Sequence, residues 1–227
     1  MKNIPFLGFI PAKKNSKRLP NKHHKLLCGI PIVQHTLQAA KDALLLDDIF
    51  ISTDDKKIVQ YAENIGIVVG SLRPQNIAKD TTPILDVIKY SVEKLENKGN
   101  KVSNIVLLQP TSPLRNANHI DQAIQYYKET NADTLSSVSL DKNYPWLWKL
   151  SADRIIPLCS YEEMAKQRHE NPIVYAENGA IFIFNRKLLD KNTIYGNKVV
   201  PFILDVKSSV DIDTEEDFKF AQFLAEK

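Results

Sequence analysis

The chain has 227 residues, 43% hydrophobic and 25% charged, with a formal net charge of +3 and two cysteines. This composition is that of an ordinary globular protein and excludes disordered and disulfide-framework classes; no apolar stretch approaches the ~20 residues of a membrane-spanning helix. Cys28 and Cys159 lie far apart without metal-type spacing, and Lys2 precedes only a short apolar run broken at Pro11, so free thiols, no signal peptide and a cytoplasmic location are expected.

The run Phe6-Leu7-Gly8-Phe9-Ile10 lacks alternation and predicts a central strand buried on both faces. Apolar positions at Val33, Leu37, Ala40 and Leu44 then recur at helical spacing, and Ile49-Phe50-Ile51 gives a second strand, completing a βαβ unit. A helix over 56–64, a short strand at Ile67-Val68-Val69 and a helix facing inward through Ile84, Leu85, Ile88, Val92 and Leu95 follow, the last with Thr82 as its cap and Pro83 as its first residue. Ile105-Val106-Leu107-Leu108 is another buried strand, and Ile120, Ala123, Ile124 and Tyr127 mark the next helix. Alternating strands and helices predict an α/β, Rossmann-like, mostly parallel sheet covered on both faces, with ligands beyond the carboxyl ends of its strands.

Regular alternation lapses after about Ser139 and resumes at Ile181-Phe182-Ile183-Phe184; Thr214-Glu215-Glu216-Asp217 opens a capped amphipathic helix. The length suits one domain over 1–227, with the irregular stretch 144–177 as an excursion from it.

Four segments could carry chemistry. Lys13, Lys14, Lys17, Arg18, Lys22, His23, His24 and Lys25 crowd the loop after the first strand, where an anionic ligand would sit. Asn15 there tolerates a left-handed turn. From charge alone a solvated surface loop is the simpler reading, and the loop is not a Walker A motif. Gln109-Pro110-Thr111-Ser112-Pro113-Leu114-Arg115 follows another buried strand; two prolines stiffen it, and Gln109 and Thr111 offer hydrogen bonds. A rigid turn is an equal alternative. Alternation in an extended segment puts Asp211 and Asp213 on one face, a pair suited either to a divalent cation or to the start of the following helix. Arg168, together with Asn178-Gly179-Ala180, is a candidate carboxylate clamp, or a surface residue.

Taken in order, IPAKKNSKRLPNK, STDD, LRPQNIAKDTTP, LLQPTSPLR, ENGAIFIF and DIDTEEDF resemble the acylneuraminate cytidylyltransferase family, nearly end to end. The resemblance implies a homodimer completed by the Tyr144–Glu177 excursion. It also implies a reaction in which the anomeric hydroxyl of a 2-keto sugar acid attacks the α-phosphate of CTP, giving a CMP-sugar and pyrophosphate. It assigns the triphosphate to Lys13, Ser16 and Lys22, with Lys22 catalytic, and the nucleotide also to Arg73. The sugar acid falls to Gln109, Thr111, Arg168 and Phe182, and Mg²⁺ to Asp211 and Asp213.

Several positions depart from the family pattern. Lys13 replaces an Arg and loses its planar fork, His23 replaces an Asn, and Pro83 and Ile84 replace small hydroxyl residues. Ala176 and Glu177 stand where sialic acid enzymes carry a basic residue. With Phe182 in place of Tyr, that loss points to a more apolar sugar such as legionaminic acid. The rival readings are an enzyme acting on Kdo or a sugar 1-phosphate, a silent homologue, and a nucleic-acid-binding module, which the low net charge and acidic C-terminal motif disfavour.

Overall fold

The computed structural model describes residues 2–14 and 16–226. In chain order it contains β1 (Asn3–Pro11), a 3₁₀ turn (Lys22–His24), the minimal hairpin β2 (Leu26–Leu27) and β3 (Ile30–Pro31), α1 (Ile32–Asp42), β4 (Asp48–Ser52), α2 (Lys56–Asn64), α3 (Ile84–Glu96), β5 (Lys101–Leu107), α4 (Ala117–Thr130) and β6 (Thr134–Leu140). There follow β7 (Trp148–Ser151), β8 (Arg154–Pro157), α5 (Tyr161–Ala165), β9 (Tyr175–Asn185), α6 (Lys187–Asp190), β10 (Val199–Ile203) and α7 (Glu215–Ala225).

The central sheet has the order β10-β6-β9-β5-β1-β4. Neighbours run parallel except β9, which is antiparallel to both β5 and β6. The apolar runs explain the layering. Phe6 and Ile10 of β1, Val106 of β5, and Ile181 and Ile183 of β9 face α1, α2 and α4. Leu7 and Phe9, Ile105 and Leu107, and Phe182 and Phe184 face α3 and α6 on the other side. Strands buried on both faces need apolar residues at successive positions, which is why these runs do not alternate.

A third, smaller cluster positions the site. Leu19 from the loop after β1, Leu27 and Ile32 pack with Val210, Ile212, Phe218 and Ala221, so the basic loop and the C-terminal acidic segment share one anchor. Fully burying each Leu, Ile or Phe contributes ~1.5–3 kcal/mol, enough together to fix both segments. The capping expected before α7 is present: the Thr214 hydroxyl accepts from the Asp217 backbone N–H at 3.2 Å, and the Asp217 carboxylate accepts from the Thr214 N–H at 2.8 Å.

Three expectations are corrected. Ile67-Val68-Val69 forms no strand; the Ile67 N–H bonds the Ala62 carbonyl at 2.9 Å with Gly66 at φ 79°, which closes the end of α2 beside an edge strand. Thr82 does not cap α3: Pro83 holds the cap position, with no side-chain hydrogen bond. The irregular stretch ends earlier than 177, because Tyr175 to Glu177 already pair with β6. Between β6 and β9 the chain forms the β7–β8 hairpin and α5, and Leu150, Ile155, Leu158 and Tyr161 lie exposed there. No helix among the described residues is long and apolar enough to cross a membrane.

Candidate active site

The carboxyl ends of β1, β4 and β5 open onto a cleft of about 270 Å³ that brings together Lys13, Ser16, Lys22, Arg73, Gln109 and Thr111. Lys22 enters it because Asn21 adopts a left-handed conformation, φ 55°, and starts the 3₁₀ turn; Asn15, expected to supply such a turn, lies outside the described residues. Only 7% of Lys22 is exposed. Its Nζ donates to the Ile212 carbonyl at 3.0 Å and to Asp213 Oδ1 at 2.9 Å, while Arg18 donates to the other oxygen of Asp213 at 2.6 Å.

Lys13 is ion-paired with Asp80, and Lys17 reaches the second oxygen of that carboxylate at 3.1 Å. The hydrogen bonds from Lys13 and Lys17 hold the Asp80 carboxyl below its usual range. Asp80 therefore bridges two cations of the basic loop and offsets one of their charges. Arg73 is buried; its Nε donates to the Ser52 hydroxyl at 3.0 Å and its Nη2 to the Ser52 carbonyl at 2.6 Å, fastening the wall of the cleft to the end of β4.

Gln109 and Thr111 separate this cleft from a second, of about 430 Å³, whose walls include Glu177, Asn178, Gly179, Phe182 and Asp211. A larger cavity of about 980 Å³ shares Ser139, Ser209 and Asp211 with it and continues to the apolar side chains of Ile173, Tyr175 and Phe220. The partition is tied to the C-terminal acidic segment by hydrogen bonds. The Thr111 carbonyl accepts from the Ile212 N–H at 2.8 Å, and the Thr111 hydroxyl bonds the Asp211 carboxylate. Gly179 has φ 75°, and a Cβ there would stand 3.4 Å from the Gln109 amide, so glycine serves both backbone and neighbour. Asn178 fixes the irregular pairing of β6 and β9: its Oδ1 accepts from the Ser137 hydroxyl at 2.6 Å, and its Nδ2 donates to the Ser209 hydroxyl at 3.0 Å.

Asp211 and Asp213 are electrostatically coupled but differently engaged. Burial raises the Asp211 carboxyl above its usual range, the Thr111 hydrogen bond opposes this, and the charge of Asp213 adds to it. Residues 211–213 form no strand, so alternation does not set their placement. Among the described residues no group of three His, Cys, Asp or Glu side chains could hold a metal. Mg²⁺ held by one or two carboxylates plus substrate phosphates does not require such a group. Arg168 is not part of either cleft: it bonds the Lys142 carbonyl and lies 5.9 Å from the Trp146 ring centre, on the excursion.

Residues 7–227 match the family model described as cytidylyltransferase. The chain belongs to the cytidylyltransferase family. It is an enzyme of the nucleotidyltransferase class. It is 31% identical over 223 residues to the CMP-N,N'-diacetyllegionaminic acid synthase of Legionella pneumophila, covering 97% of this chain and 96% of that protein. It is 31% identical over 214 residues to the N-acylneuraminate cytidylyltransferase of Streptococcus agalactiae, covering 92% of this chain but only 50% of that longer protein. The fold is shared with a CMP-2-keto-3-deoxy-manno-octonic acid synthetase solved with CTP, at a TM-score of 0.70, 16% identity and 98% coverage of both chains.

The cleft of this cytidylyltransferase also contains residues that sequence reasoning did not assign to it. Lys79, Asp80 and Thr82 line it, as does His23. Burial, then the charge of Lys22, pushes the His23 imidazole down to about 3, so it is neutral at physiological pH, and its Nδ1 has no partner among the described residues. The clustering of titratable residues around Lys22 was visible in the sequence; the burial that silences His23 was not.

Proposed function

We propose that the chain condenses CTP with a nine-carbon 2-keto sugar acid of the sialic type, giving a CMP-sugar and pyrophosphate, and that its preferred acid is of the legionaminic kind. The observation that carries this reading is the adjacency of two clefts across the Gln109–Thr111 partition: one rich in cations, the other containing Asp211 and leading to an apolar cavity. The names of the Legionella and Streptococcus relatives support the choice of substrates.

In this reading Lys13, Ser16 and Arg73 hold the nucleotide. Lys22 offsets charge that develops as pyrophosphate leaves. Phe182 faces the sugar, and Gln109 and Thr111 meet it from the nucleotide side of the partition. Asp211 would hold Mg²⁺, with Asp213 contributing an oxygen that Lys22 or Arg18 now occupies; the ion would supply Lewis-acid stabilisation of phosphate charge and a more acidic attacking hydroxyl. The raised pKa of Asp211 favours such a role, since a bound cation relieves the cost of its charge. Glu177 and Phe182 offer a polyhydroxylated tail fewer hydrogen-bond donors than a basic residue and a tyrosine would.

Pyrophosphate release with Mg²⁺, the four nucleoside triphosphates and a panel of sialic, legionaminic, pseudaminic and Kdo acids tests this. Release confined to CTP and strongest with a legionaminic acid is expected; a clear preference for N-acetylneuraminate refutes the sugar assignment.

The exposed apolar side chains of the 144–177 region, Trp148, Leu150 and Ile155 among them, favour a homodimer joined there, with Arg168 brought to a neighbouring sugar site. Light scattering at assay concentration is expected to give twice the 25.8 kDa chain mass, and a charged residue at Leu150 to halve it. A wild-type protein that stays monomeric removes the dimer.

A further inference from the structure

Arg115 ends the segment that begins at Gln109, yet its side chain does not reach solvent: the residue is 1% exposed and is the largest fully buried side chain of the described residues. Its Nη2 donates to the Thr36 hydroxyl at 2.7 Å and makes longer approaches to the carbonyls of Ser112, 3.4 Å, and Gln109, 3.5 Å. Nε and Nη1 have no hydrogen-bond partner among the described residues, and no carboxylate there pairs with the guanidinium. An unpaired buried charge is among the least favourable groups a fold can hold. Burial pushes the guanidinium below its usual range, but its delocalised cation remains protonated at neutral pH. A structural staple would not need two unsatisfied nitrogens; a neutral side chain of similar volume would fill the space without them.

The position of the charge gives it a use. The backbone of Gln109 to Ser112 lies between Arg115 and the cleft, with Gln109 and Thr111 lining the side opposite the guanidinium. Both substrates of a cytidylyltransferase reaction are anions. We propose that Arg115 is a positioning residue for that reaction: from behind the Gln109–Ser112 loop it orients the loop carbonyls and supplies an attractive potential whose counter-charge arrives with the substrates. The inference rests on the proposed cytidylyl transfer. A buried charge acts across low dielectric and is little screened by salt, unlike the exposed lysines of the basic loop.

The test compares wild type, Arg115→Met and Arg115→Lys in pyrophosphate release, CTP binding by calorimetry and thermal melting without ligand. For Arg115→Met, kcat/KM and CTP affinity are expected to fall about tenfold or more, equally at low and high salt, while the ligand-free melting temperature stays level or rises. Arg115→Lys is expected to restore most of the loss near neutral pH and to lose it again as pH rises. Burial lowers an ammonium below its ordinary ~10.4, whereas the wild-type guanidinium, lowered by burial from a higher starting value, keeps its charge to higher pH than the ammonium does. The titratable groups nearby are His119 of α4, held below its usual range by burial and by the charge of Arg115 against the opposing charge of Asp205, and His35 and Asp42 of α1, which line a cavity with Arg115. None is a lysine, tyrosine or cysteine that would titrate in the alkaline window.

Unchanged kcat/KM and CTP affinity in Arg115→Met overturn the inference. So does an equal loss in both variants with a parallel drop in melting temperature, which marks a structural role. If the methionine variant does not fold, the lysine variant decides alone: no added alkaline limb means no role for the charge. Wild type that binds no CTP refutes the proposed reaction and this inference with it; an active wild type with an indifferent Arg115→Met refutes only the inference.

Discussion

Lys22→Ala is expected to lower kcat by about 10²–10³, the loss typical of removing one preorganised donor from developing negative charge, with little change in melting temperature. Lys22 is nearly buried at the head of the cation-rich cleft and has its Nζ fixed by the Ile212 carbonyl and by Asp213, so its charge is already in place when phosphate arrives. The fold should tolerate the loss: the Asp213 side chain is 39% exposed and keeps Arg18 as a partner, so no buried charge is abandoned. Lys22→Arg retains the charge but not its compact shape, and should recover only part of the rate. Steady-state pyrophosphate release beside a melting curve checks this, and an alanine variant within threefold of wild type removes Lys22 from the chemistry.

Asp211→Asn is expected to cost about 10²–10³ in kcat, equivalent to several kcal/mol of lost charge stabilisation, yet to melt no lower than wild type. The reason is the direction of its pKa. Burial and Asp213 raise the Asp211 carboxyl above its ordinary 3.8, so the folded chain holds that proton more tightly than the unfolded chain does. As pH climbs from below 3.8 through the raised folded value, the stability Asp211 contributes is lost. Asparagine keeps an acceptor for the Thr111 hydroxyl and removes the charge. With Mg²⁺ below saturation the same argument raises the acid limb of the activity profile, because the carboxylate must be ionised to act, and saturating Mg²⁺ is expected to lower it again. Asp213→Asn, by removing the like charge, moves that limb to lower pH. An Asp211→Asn enzyme that keeps its rate, or an acid limb unmoved by Asp213→Asn, contradicts this account.

The sequence made legible those elements whose burial is apolar. β1, β4, β5 and most of the inner faces of α1, α3 and α4 announce themselves through runs or helical spacing of Ile, Leu, Val and Phe, but Leu44, expected on α1, lies beyond its end and Ile84, expected inside, is exposed. β6 did not, because its buried positions include Thr134, Ser136 and Ser137, residues that resemble a loop in the sequence. Thr134 and Ser137 are satisfied by bonds to the Ile194 carbonyl, Asn178 and the Ile181 N–H. Those partners are distant in the chain and leave no periodic trace. Ile67-Val68-Val69 failed in the opposite way: it is apolar enough for a strand, but Val68 is 86% exposed and the segment closes a helix.

For the site, the order of motifs assigned Lys13, Ser16, Lys22 and Arg73 to the nucleotide and Gln109 and Thr111 to the sugar acid; the structure lines one cleft with all six. What pairs with what could not be read. The contacts of Lys22 and Arg18 with Asp213 span more than 190 positions, and nothing in LLQPTSPLR says that its arginine is its most buried charge.

The reversed direction of β9 has a further consequence. Because β9 runs against β6, the segment between them leaves and rejoins the sheet at the same end, the one where the clefts open. Lengthening such a connection is cheap, ~0.6 kcal/mol for each doubling, and leaves the strand register untouched. The region proposed to complete the sugar side is therefore open to remodelling as a module, and if that proposal holds, acid specificity and core stability can be engineered separately on this scaffold.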